Sequence, residues 1–542
     1  MKPSQNEFDV VVVGAGFSGM YLLHKLRQAG LSARVLEAGT DVGGTWYWNR
    51  YPGARCDVPS IEYSFSFSPE LQQEWQWTEV MAAQPEILDY ANHIAQRFDL
   101  RSDIEFSTRV ASAHFQEDEQ RWRVTTDAGV EYAARFCVMA TGCLSVPNTP
   151  QITGADNFAG DVFHTGNWPA DGVDFSKRRV GIIGTGSSAI QAIPVIAEQV
   201  EHLTIFQRTP NYTMPAHNRP LSDDFRKQAI ENYDEIRQQQ RESQVGIVGY
   251  GFGFGGADNV EPTEAILETT EAERAALVEE EGFVAIRRFA DVAIDPEANE
   301  LACDMYRQQI GRVIHNPETA EALMPRDYPM GCKRPVIDTD YYETFNRSNV
   351  SLVDLRKGGI ETITANGIQT AQGNYEFDTL VYATGFDAMT GALQKIDIRG
   401  RNNERLNDHW EAGPRTYLGL QINGFPNLFT VTGPGSPSVL SNMLVSIEQH
   451  VDWITECIEH MRDRQLRLIE PTLAAEDEWV VHVNEVAEGT MFTAPSCNSW
   501  YLGANIPGKP RIFMPYVGGV GEYRKKCDEV VANDYEGFVL SA

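Results

Sequence analysis

The sequence is poor in positive charge and contains no long apolar run. Lysine and arginine number 45 against 76 aspartate and glutamate residues, so the formal net charge is −31. Nucleic-acid binding needs a basic surface, and anionic lipid repels an acidic one. No apolar stretch approaches the ~18 residues that cross a bilayer, and Met1–Asp9 is polar rather than signal-like. We therefore expect a cytoplasmic protein that binds neither nucleic acid nor membrane.

Cysteine is scarce and scattered. The eight cysteines contain no CxxC pair, and neither they nor the eleven histidines have metal-ligand spacing; the cysteines are Cys56, Cys137, Cys143, Cys303, Cys332, Cys457, Cys497 and Cys527. No metal site is expected. In a cytoplasmic protein, scattered cysteines are expected to be reduced thiols.

The chain is long and apolar enough to form several folded units. At ~150 residues per domain, its 542 residues suggest ~3 to 4 units. Apolar residues make up 42% and aromatic residues 10% of the chain, which excludes a disordered protein.

A first βαβ unit lies at the start of the chain. Its strand, helix and second strand are predicted at Phe8–Val13, Phe17–Gln28 and Ala33–Leu36. Gly14, Gly16 and Gly19 form a GxGxxG turn, which permits close approach of a pyrophosphate and close packing of the helix. Glu37 follows the second strand, where a carboxylate accepts hydrogen bonds from an unphosphorylated ribose. The pattern favours FAD or NAD.

A second βαβ unit repeats the pattern with a different ending. Its strand, turn, helix and second strand are predicted at Arg179–Ile183, Gly184–Ala189, Ile190–Glu198 and Leu203–Phe206. The second strand leads to Arg208 and Thr209 instead of a carboxylate. A guanidinium and a hydroxyl suit a 2′-phosphate, so NADP is preferred here.

Two similar strand ends suggest that the second unit is inserted into the first. Phe136–Gly142 and Leu380–Gly385 are apolar strands that both open into Ala-Thr-Gly, and the second βαβ unit lies between them. The predicted fold is therefore α/β, with two nested Rossmann-like dinucleotide-binding domains.

A helical insertion and a glycine-rich loop interrupt this pattern. The segment from Leu221 to about Gln244 has helical periodicity with Ser222 as a possible N-cap, and Val260–Gly282 carries eight glutamates against one arginine. Gly246–Gly256 holds six glycines and is predicted to be a loop. Near the C-terminus, Asn442–Arg462 is predicted to be a helix.

Long motifs carry a resemblance to a known family. Phe158–Pro169 reads FxGxxxHxxxWP, and Gly43–Asp57 reads GGTWYWNRYPGARCD. Both resemble signatures of type I Baeyer–Villiger monooxygenases, flavin- and NADPH-dependent enzymes that insert oxygen beside a ketone carbonyl. Gly433–Met443 and Ser499–Arg511 are similar to the phenylacetone and steroid monooxygenase branch.

The resemblance implies a function and a set of partners. FAD and NADPH are the expected cofactors, and a ketone and O2 are the expected substrates. The products would be esters or lactones, formed through a C4a-peroxyflavin, with sulfoxidation as a side activity. The stretch Pro437–Leu440 favours aromatic, cyclic or bulky ketones. The chain is expected to act as a monomer.

The resemblance also assigns domain functions. The FAD-binding domain is expected at residues 1–145 and 386–542, and the NADP-binding domain at 146–220 and 331–385. The helical insertion occupies the remaining residues, 221–330.

The resemblance implies further cofactor contacts, both within the two nucleotide motifs and beyond them. These are Phe17, Thr45, Trp46, Tyr47, Trp48, Arg55, Cys56, Asp57, Val58, Tyr63, Val110, Thr185, Gly186, Ser187, Ser188, Ala189, Ile190, Gln191, Lys333, Arg334, Met443 and Trp500. Thr45–Trp48 would line the flavin, and Lys333 would be a second ligand of the 2′-phosphate.

Arg334 and Asp57 are the residues to which the resemblance gives a catalytic role. Oxygen transfer to a carbonyl passes through anionic species, which a fixed cation stabilises. Arginine stays protonated at any relevant pH, and a carboxylate such as Asp57 orients it without taking its proton. His164 could be read as a general base, but a structural role is favoured because it lies between the two nucleotide units.

Several alternative functions remain open. A pyridine-nucleotide disulfide reductase needs a CxxxxC pair near the first nucleotide motif, where only Cys56 is found. An electron-transfer or other NADPH-dependent flavin reductase, an NADP sensor and a flavin N- or S-oxidising monooxygenase are the other candidates. None of them explains the motif that ends at Trp168 and Pro169.

Overall fold

The computed structural model of the protein describes residues 6–248 and 262–542. Most of the predicted loop Gly246–Gly256 therefore lies outside the described residues. Within them, no helix is long and apolar enough to cross a membrane. The same residues contain no group of three or more histidine, cysteine, aspartate or glutamate side chains that could hold a metal ion.

The strands of the described residues are β1 Glu7–Val13, β2 Ala33–Leu36, β3 Ile104–Glu105, β4 Val110–Gln116, β5 Arg121–Thr126, β6 Glu131–Met139, β7 Asp161–His164, β8 Arg179–Ile183, β9 His202–Gln207, β10 Thr213–Pro215, β11 Val336–Asp338, β12 Val350–Asp354, β13 Ile360–Thr364, β14 Gly367–Thr370, β15 Gly373–Glu376, β16 Thr379–Tyr382, β17 Asp397–Arg399, β18 Leu428–Thr430, β19 Leu468–Pro471 and β20 Phe538–Ser541.

The α-helices in the same residues are α1 Phe17–Gln28, α2 Thr45–Trp48, α3 Pro69–Glu74, α4 Gln84–Arg97, α5 Ser187–Ala197, α6 Asp223–Glu231, α7 Tyr233–Glu242, α8 Glu271–Glu281, α9 Pro296–Val313, α10 Pro317–Leu323, α11 Tyr341–Thr344, α12 Gly391–Gln394, α13 Leu406–His409, α14 Met443–Asp463, α15 Leu473–Ala487 and α16 Val520–Ala532.

The larger sheet is built from both ends of the chain. Its strand order is β17-β4-β5-β6-β1-β2-β3, and β18 also pairs with β6. β1 lies between β2 and β6 and is parallel to both, with Val13 opposite Leu36 on one side and Met139 on the other. Val10, Val11 and Val12 are fully buried, as expected for a parallel strand covered on both faces.

The second sheet is parallel throughout. Its strand order is β12-β9-β8-β16-β7. All of its strands lie between β6 and β17 in the chain, and β17 and β18 then return to the larger sheet. The α/β fold with two nested Rossmann-like units and a helical insertion is thereby confirmed.

The helical insertion is more broken than the sequence pattern suggests. The predicted helix Leu221–Gln244 is two helices, α6 and α7, which meet at Asn232. Ser222 is the N-cap of α6, and its side chain accepts a hydrogen bond from the Phe225 backbone, as predicted. In the acidic stretch only Glu271–Glu281 is α-helical, because a capping box at Thr270 starts the helix late.

One expectation about cysteine is wrong. Cys332 and Cys497 form a disulfide, although all eight thiols were expected to be reduced. The two residues are 165 positions apart in the sequence, so no spacing motif links them, and the fold brings their loops together. The other six cysteines are free and buried.

Candidate functional site

The first glycine turn leaves room and donors for a pyrophosphate. Gly14 has φ +104°, and a Cβ there would lie 2.6 Å from the carbonyl oxygen of Ala140. Gly16 is the N-cap of α1, and no side chain caps this helix. The backbone N–H groups of the first turn are therefore available to an anion at the positive end of the helix dipole.

Glu37 closes the same turn from the other side. Its carboxylate is only 5% exposed and accepts hydrogen bonds of 2.6 Å from the backbone N–H groups of Ala15 and Gly39. Burial raises the pKa of this carboxyl, and the two backbone donors oppose that shift. The arrangement fixes a carboxylate beside the glycine turn, as the hydroxyls of a ribose require.

The Gly43–Asp57 segment packs directly on the first turn. A Cβ on Gly44 would lie 2.8 Å from the Cα atom of Gly16, so the start of α2 touches the first glycine turn. Within this segment Trp46 is buried, and its indole N–H donates to the Tyr63 hydroxyl over 3.1 Å. The aromatic residues of the motif are thus held next to the first nucleotide turn.

The second glycine turn is open in a similar way. Gly186 is the N-cap of α5, again without a side-chain cap, and no other atom lies within 4 Å of the position of its absent Cβ. The Thr185 hydroxyl donates to the carbonyl oxygen of Thr209 over 3.0 Å, which ties the turn to the end of β9. The N-terminal N–H groups of α5 therefore have no capping side chain and are available to an anion.

Two cations, Lys333 and Arg208, lie close enough for their charges to interact. Burial, and then the positive charge of Arg208, lower the pKa of Lys333 to about 8. Lys333 also lies over the Tyr328 ring, with its Nζ 4.4 Å from the ring centroid. Two like charges held together favour an anionic ligand, and the donor set fits a phosphate group.

The Gly43–Asp57 segment also connects the two nucleotide units. The Tyr51 hydroxyl donates to Oε1 of Gln191 on α5 over 2.8 Å, and Nε2 of Gln191 donates to the Arg55 carbonyl oxygen over 3.1 Å. The guanidinium of Arg55 is paired with Glu79. In this structure Gln191 and Arg55 therefore hold the two units together.

Arg334 and Asp57 meet at this junction. Nε of Arg334 lies 3.0 Å from Oδ2 of Asp57, and their side chains are 31% and 35% exposed. Arg334 follows Lys333 in the chain, whereas Asp57 ends the segment that packs on the first turn. The ion pair therefore joins a loop of the second unit to the segment beside the first.

The sequence motifs did not single out Tyr501, although it contacts this ion pair. Its hydroxyl accepts a hydrogen bond from the Arg334 backbone, and the charges of Arg334 and Asp57 both act on it. Burial raises the pKa of Tyr501 to about 12. Its place beside Trp500 in the Ser499–Arg511 motif was the available signal.

The new disulfide lies next to the same ion pair in the sequence. Cys332 precedes Lys333 and Arg334, and Cys497 precedes the short turn that carries Trp500 and Tyr501. The bond therefore ties the loop that bears both cations to the loop that contacts Arg334. Both sulfur-bearing residues are fully buried.

A small apolar cluster brings together residues that the sequence singled out separately. Its buried members and the side chains packed against them are Cys143, Met389, Met514, Val439, Met443 and Trp500. Met443 is the first residue of α14, whose N-cap is Asn442. This cluster offers an apolar wall built from four different parts of the chain.

His164 has the structural role that we expected. Its Nδ1 accepts a hydrogen bond of 2.9 Å from the backbone N–H of Gly166, and its Nε2 lies 3.3 Å from the Thr384 hydroxyl. Burial lowers the pKa of its imidazole. The ring thus joins the end of β7 to the residues that follow β16.

Other predicted contacts lie in apolar packing. Cys56, Val58 and Phe17 belong to the core around α1 and α14. Val110, at the start of β4, belongs to a separate core cluster on the larger sheet. Their proposed contacts with a cofactor stay predictions.

Comparison with known proteins places these features in context. A family model described as pyridine nucleotide-disulphide oxidoreductase matches residues 11–245. A Baeyer–Villiger monooxygenase of Pseudooceanicola batsensis is 41% identical over 98% of this chain and 96% of its own. A phenazine N-monooxygenase of Lysobacter antibioticus is 40% identical over 99% of this chain and 97% of its own.

A solved structure is similar over the full length. An oxidised steroid monooxygenase bound to NADP matches with a TM-score of 0.90 and 50% sequence identity, covering 99% of each chain.

Proposed function

The chain belongs to the Baeyer–Villiger monooxygenase family, and we propose that it oxidises aromatic, cyclic or bulky ketones to esters or lactones. The reaction consumes NADPH and O2, and the cofactors are FAD and NADP(H). The observation that carries the proposal is the Arg334–Asp57 ion pair at the junction of the two nucleotide units.

FAD fits the first turn, and NADP(H) fits the second. At the first, the uncapped N-terminus of α1 would hold the pyrophosphate and Glu37 the ribose. At the second, α5 would hold the pyrophosphate, with Arg208, Thr209 and Lys333 around the 2′-phosphate.

Bound FAD supplies the redox chemistry, because it accepts a hydride from NADPH and then activates O2. The residues of the chain position the reactants and stabilise charge. The Arg334 guanidinium would face the negative charge that develops on oxygen as the ketone is oxidised. Asp57 would orient the guanidinium through the 3.0 Å contact and keep it fixed before the reaction.

The apolar cluster around Trp500 is our candidate for the ketone-binding wall. It combines Cys143 and Met443 with an aromatic ring on the loop that contacts Arg334. Methionine side chains adapt their shape to irregular ligands, which suits a bulky ketone. The same wall would accept a sulfide, so sulfoxidation is proposed as a side activity.

Oxidation of a ring nitrogen is a second candidate. The full-length relative named as a phenazine N-monooxygenase supports it, at an identity similar to that of the ketone-oxidising relatives. Both activities would use the same cofactors, so only the product, an ester or lactone in one case and an N-oxide in the other, distinguishes them.

We propose that the protein acts as a monomer in the cytoplasm. The exposed large apolar side chains of the described residues are spread over separate elements, on β7, α6 and α15 among others, which supports the monomeric state. Consumption of NADPH supports the location, and burial would shield the disulfide from cellular reductants. Light scattering after gel filtration tests the monomer.

The decisive experiment follows the oxygen atom. Purified protein loaded with FAD is given NADPH, ¹⁸O₂ and a panel of aromatic and cyclic ketones. We expect faster NADPH oxidation with ketone and an ester or lactone that carries one ¹⁸O atom. A phenazine substrate that yields an N-oxide, with no ketone turned over, would favour the second candidate. Protein that binds no FAD in titration would contradict both.

A further inference from the structure

A polar cavity lies away from both nucleotide turns. It has a volume of about 260 Å³, and its lining comes from α1, α7, α14, α16 and residues 64–67. None of the residues predicted to bind FAD or NADPH lines it. Three arginines line it, which is unusual on a chain with a net charge of −31; they are Arg237, Arg241 and Arg524.

The acidic side chains of the cavity already have partners. Glu448 accepts hydrogen bonds from the backbone N–H groups of Ser66, at 2.6 Å, and Phe67, at 3.0 Å, and from the Ser66 hydroxyl. Asp452 accepts from the Tyr21 hydroxyl at 2.8 Å and lies 2.9 Å from Nζ of Lys25. Both carboxylates are therefore engaged by groups other than the three arginines.

One of the three arginines is also fully engaged. Arg237 is 4% exposed, and its guanidinium donates to side-chain oxygens of Gln72, Gln240 and Ser64 over 2.7 to 2.8 Å. It contributes positive charge to the floor of the cavity and has little donor capacity left.

Arg524 is different. Among the described residues it has no hydrogen-bond or ion-pair partner, and its Nε atom is buried. Burial and the nearby Arg241 lower the pKa of its guanidinium, and the negative charges of Asp528, Asp452 and Glu448 oppose that shift without hydrogen-bonding to it. Arg241 itself makes one hydrogen bond, from Nη2 to the Ser66 hydroxyl over 3.2 Å. A buried guanidinium N–H without an acceptor is costly, and an oxyanion would supply the acceptor that Nε of this half-buried side chain lacks.

We propose that this cavity binds a small oxyanion, a phosphate or a short carboxylate, held by Arg524 and Arg241. Guanidinium groups present parallel N–H donors that match the oxygens of both ions. The cavity volume of about 260 Å³ is that of a small-molecule site. Phosphate or a four-carbon dicarboxylate fits that space, whereas a second dinucleotide does not.

The test uses the whole protein saturated with FAD and NADP⁺, so that added phosphate cannot occupy the 2′-phosphate site. Inorganic phosphate and succinate are titrated separately by calorimetry at constant ionic strength, with chloride as the balancing anion. Arg524→Gln is compared with Lys525→Gln. The control removes one positive charge from the same helix, at a side chain that is 69% exposed and paired with Glu522.

We expect saturable binding of at least one of the two anions to the unmodified protein and to Lys525→Gln. Arg524→Gln should bind it ~10- to 100-fold more weakly, because a charge-assisted hydrogen bond is lost. Which anion binds more tightly identifies the natural class of ligand. If Arg524→Gln does not fold, Arg241→Gln must show the same loss of binding, and we expect that variant to fold because the Arg241 side chain is exposed. Equal binding in Arg524→Gln and Lys525→Gln, or no binding at millimolar concentration, would overturn the proposal.

Discussion

Replacing Arg334 with alanine should separate the reduction of FAD from the transfer of oxygen. Reduction by NADPH depends on nucleotide binding, which we propose for the Gly14 and Gly186 turns, whereas Arg334 is proposed to act on charge that develops later. We expect Arg334→Ala to bind FAD, to oxidise NADPH and to release hydrogen peroxide in place of ester. Anaerobic stopped-flow spectra measure reduction, and product analysis measures ester and peroxide.

The size of the effect follows from the geometry of the ion pair. Both side chains of the Arg334–Asp57 pair are about one-third exposed, so water screens the pair and it adds at most ~1 kcal/mol to stability. A preorganised donor to a developing oxyanion is worth ~3 to 4 kcal/mol, or ~10²- to 10³-fold in rate. Ester formation should therefore fall at least ~100-fold while the Tm hardly changes.

Two further variants test the reasoning. Arg334→Lys should restore little ester formation, because an ammonium lacks the planar fork that pairs with Asp57 while facing the substrate. Asp57→Asn should keep the arginine but loosen its orientation, which gives a smaller loss. Ester formation by Arg334→Ala at close to the original rate would refute the role of Arg334, and the nucleotide sites would be unaffected by that result.

Three other predictions concern the second nucleotide turn and the disulfide. Arg208→Gln should raise the KM for NADPH at least ~10-fold and leave that for NADH nearly unchanged, since only NADPH carries the 2′-phosphate; equal effects on both would make Arg208 structural. Lys333 is charged below its pKa of about 8 and neutral above it, so the KM for NADPH should rise as the pH increases through about 8. Steady-state kinetics should show that this rise is absent with NADH and in Lys333→Met. Peptide mapping of denatured, unreduced protein should recover Cys332 linked to Cys497, and eight alkylated thiols would show instead that the bond is absent.

The nucleotide turns could be predicted from local sequence. A buried strand, a glycine turn and an amphipathic helix are contiguous, so their pattern predicts α1 at Phe17–Gln28 with the bounds that the structure has. The acidic residue at the end of β2 and the cation after β9 are also local features. The sequence also predicts the geometry of the turn, because only glycine fits at position 14: a Cβ there would clash with the Ala140 carbonyl oxygen.

Contacts between distant segments could not be predicted in the same way. The bond between Cys332 and Cys497 and the contact of Tyr501 with Arg334 depend on how two loops meet, and neither has a spacing that marks it. The Arg334–Asp57 pair was expected only because the chain resembles a known family. The sequence did not predict that the helix is interrupted at Asn232, because the helical spacing of apolar residues continues through this position. The backbone of Asn232 itself is not helical.

Lys333 and Arg334 are neighbours in one loop. This loop therefore connects the proposed binding of NADPH to the proposed oxygen transfer. Lys333 lies near Arg208 at the proposed 2′-phosphate site, and Arg334 faces Asp57 beside the first nucleotide turn. Without an anion, the repulsion between Lys333 and Arg208 acts on this loop, and a bound phosphate would remove it. We therefore expect occupancy of the proposed NADP site to stabilise the loop that carries Arg334. The disulfide at Cys332 anchors the same loop to the loop that carries Tyr501, so we expect nucleotide binding to shift Arg334 only slightly.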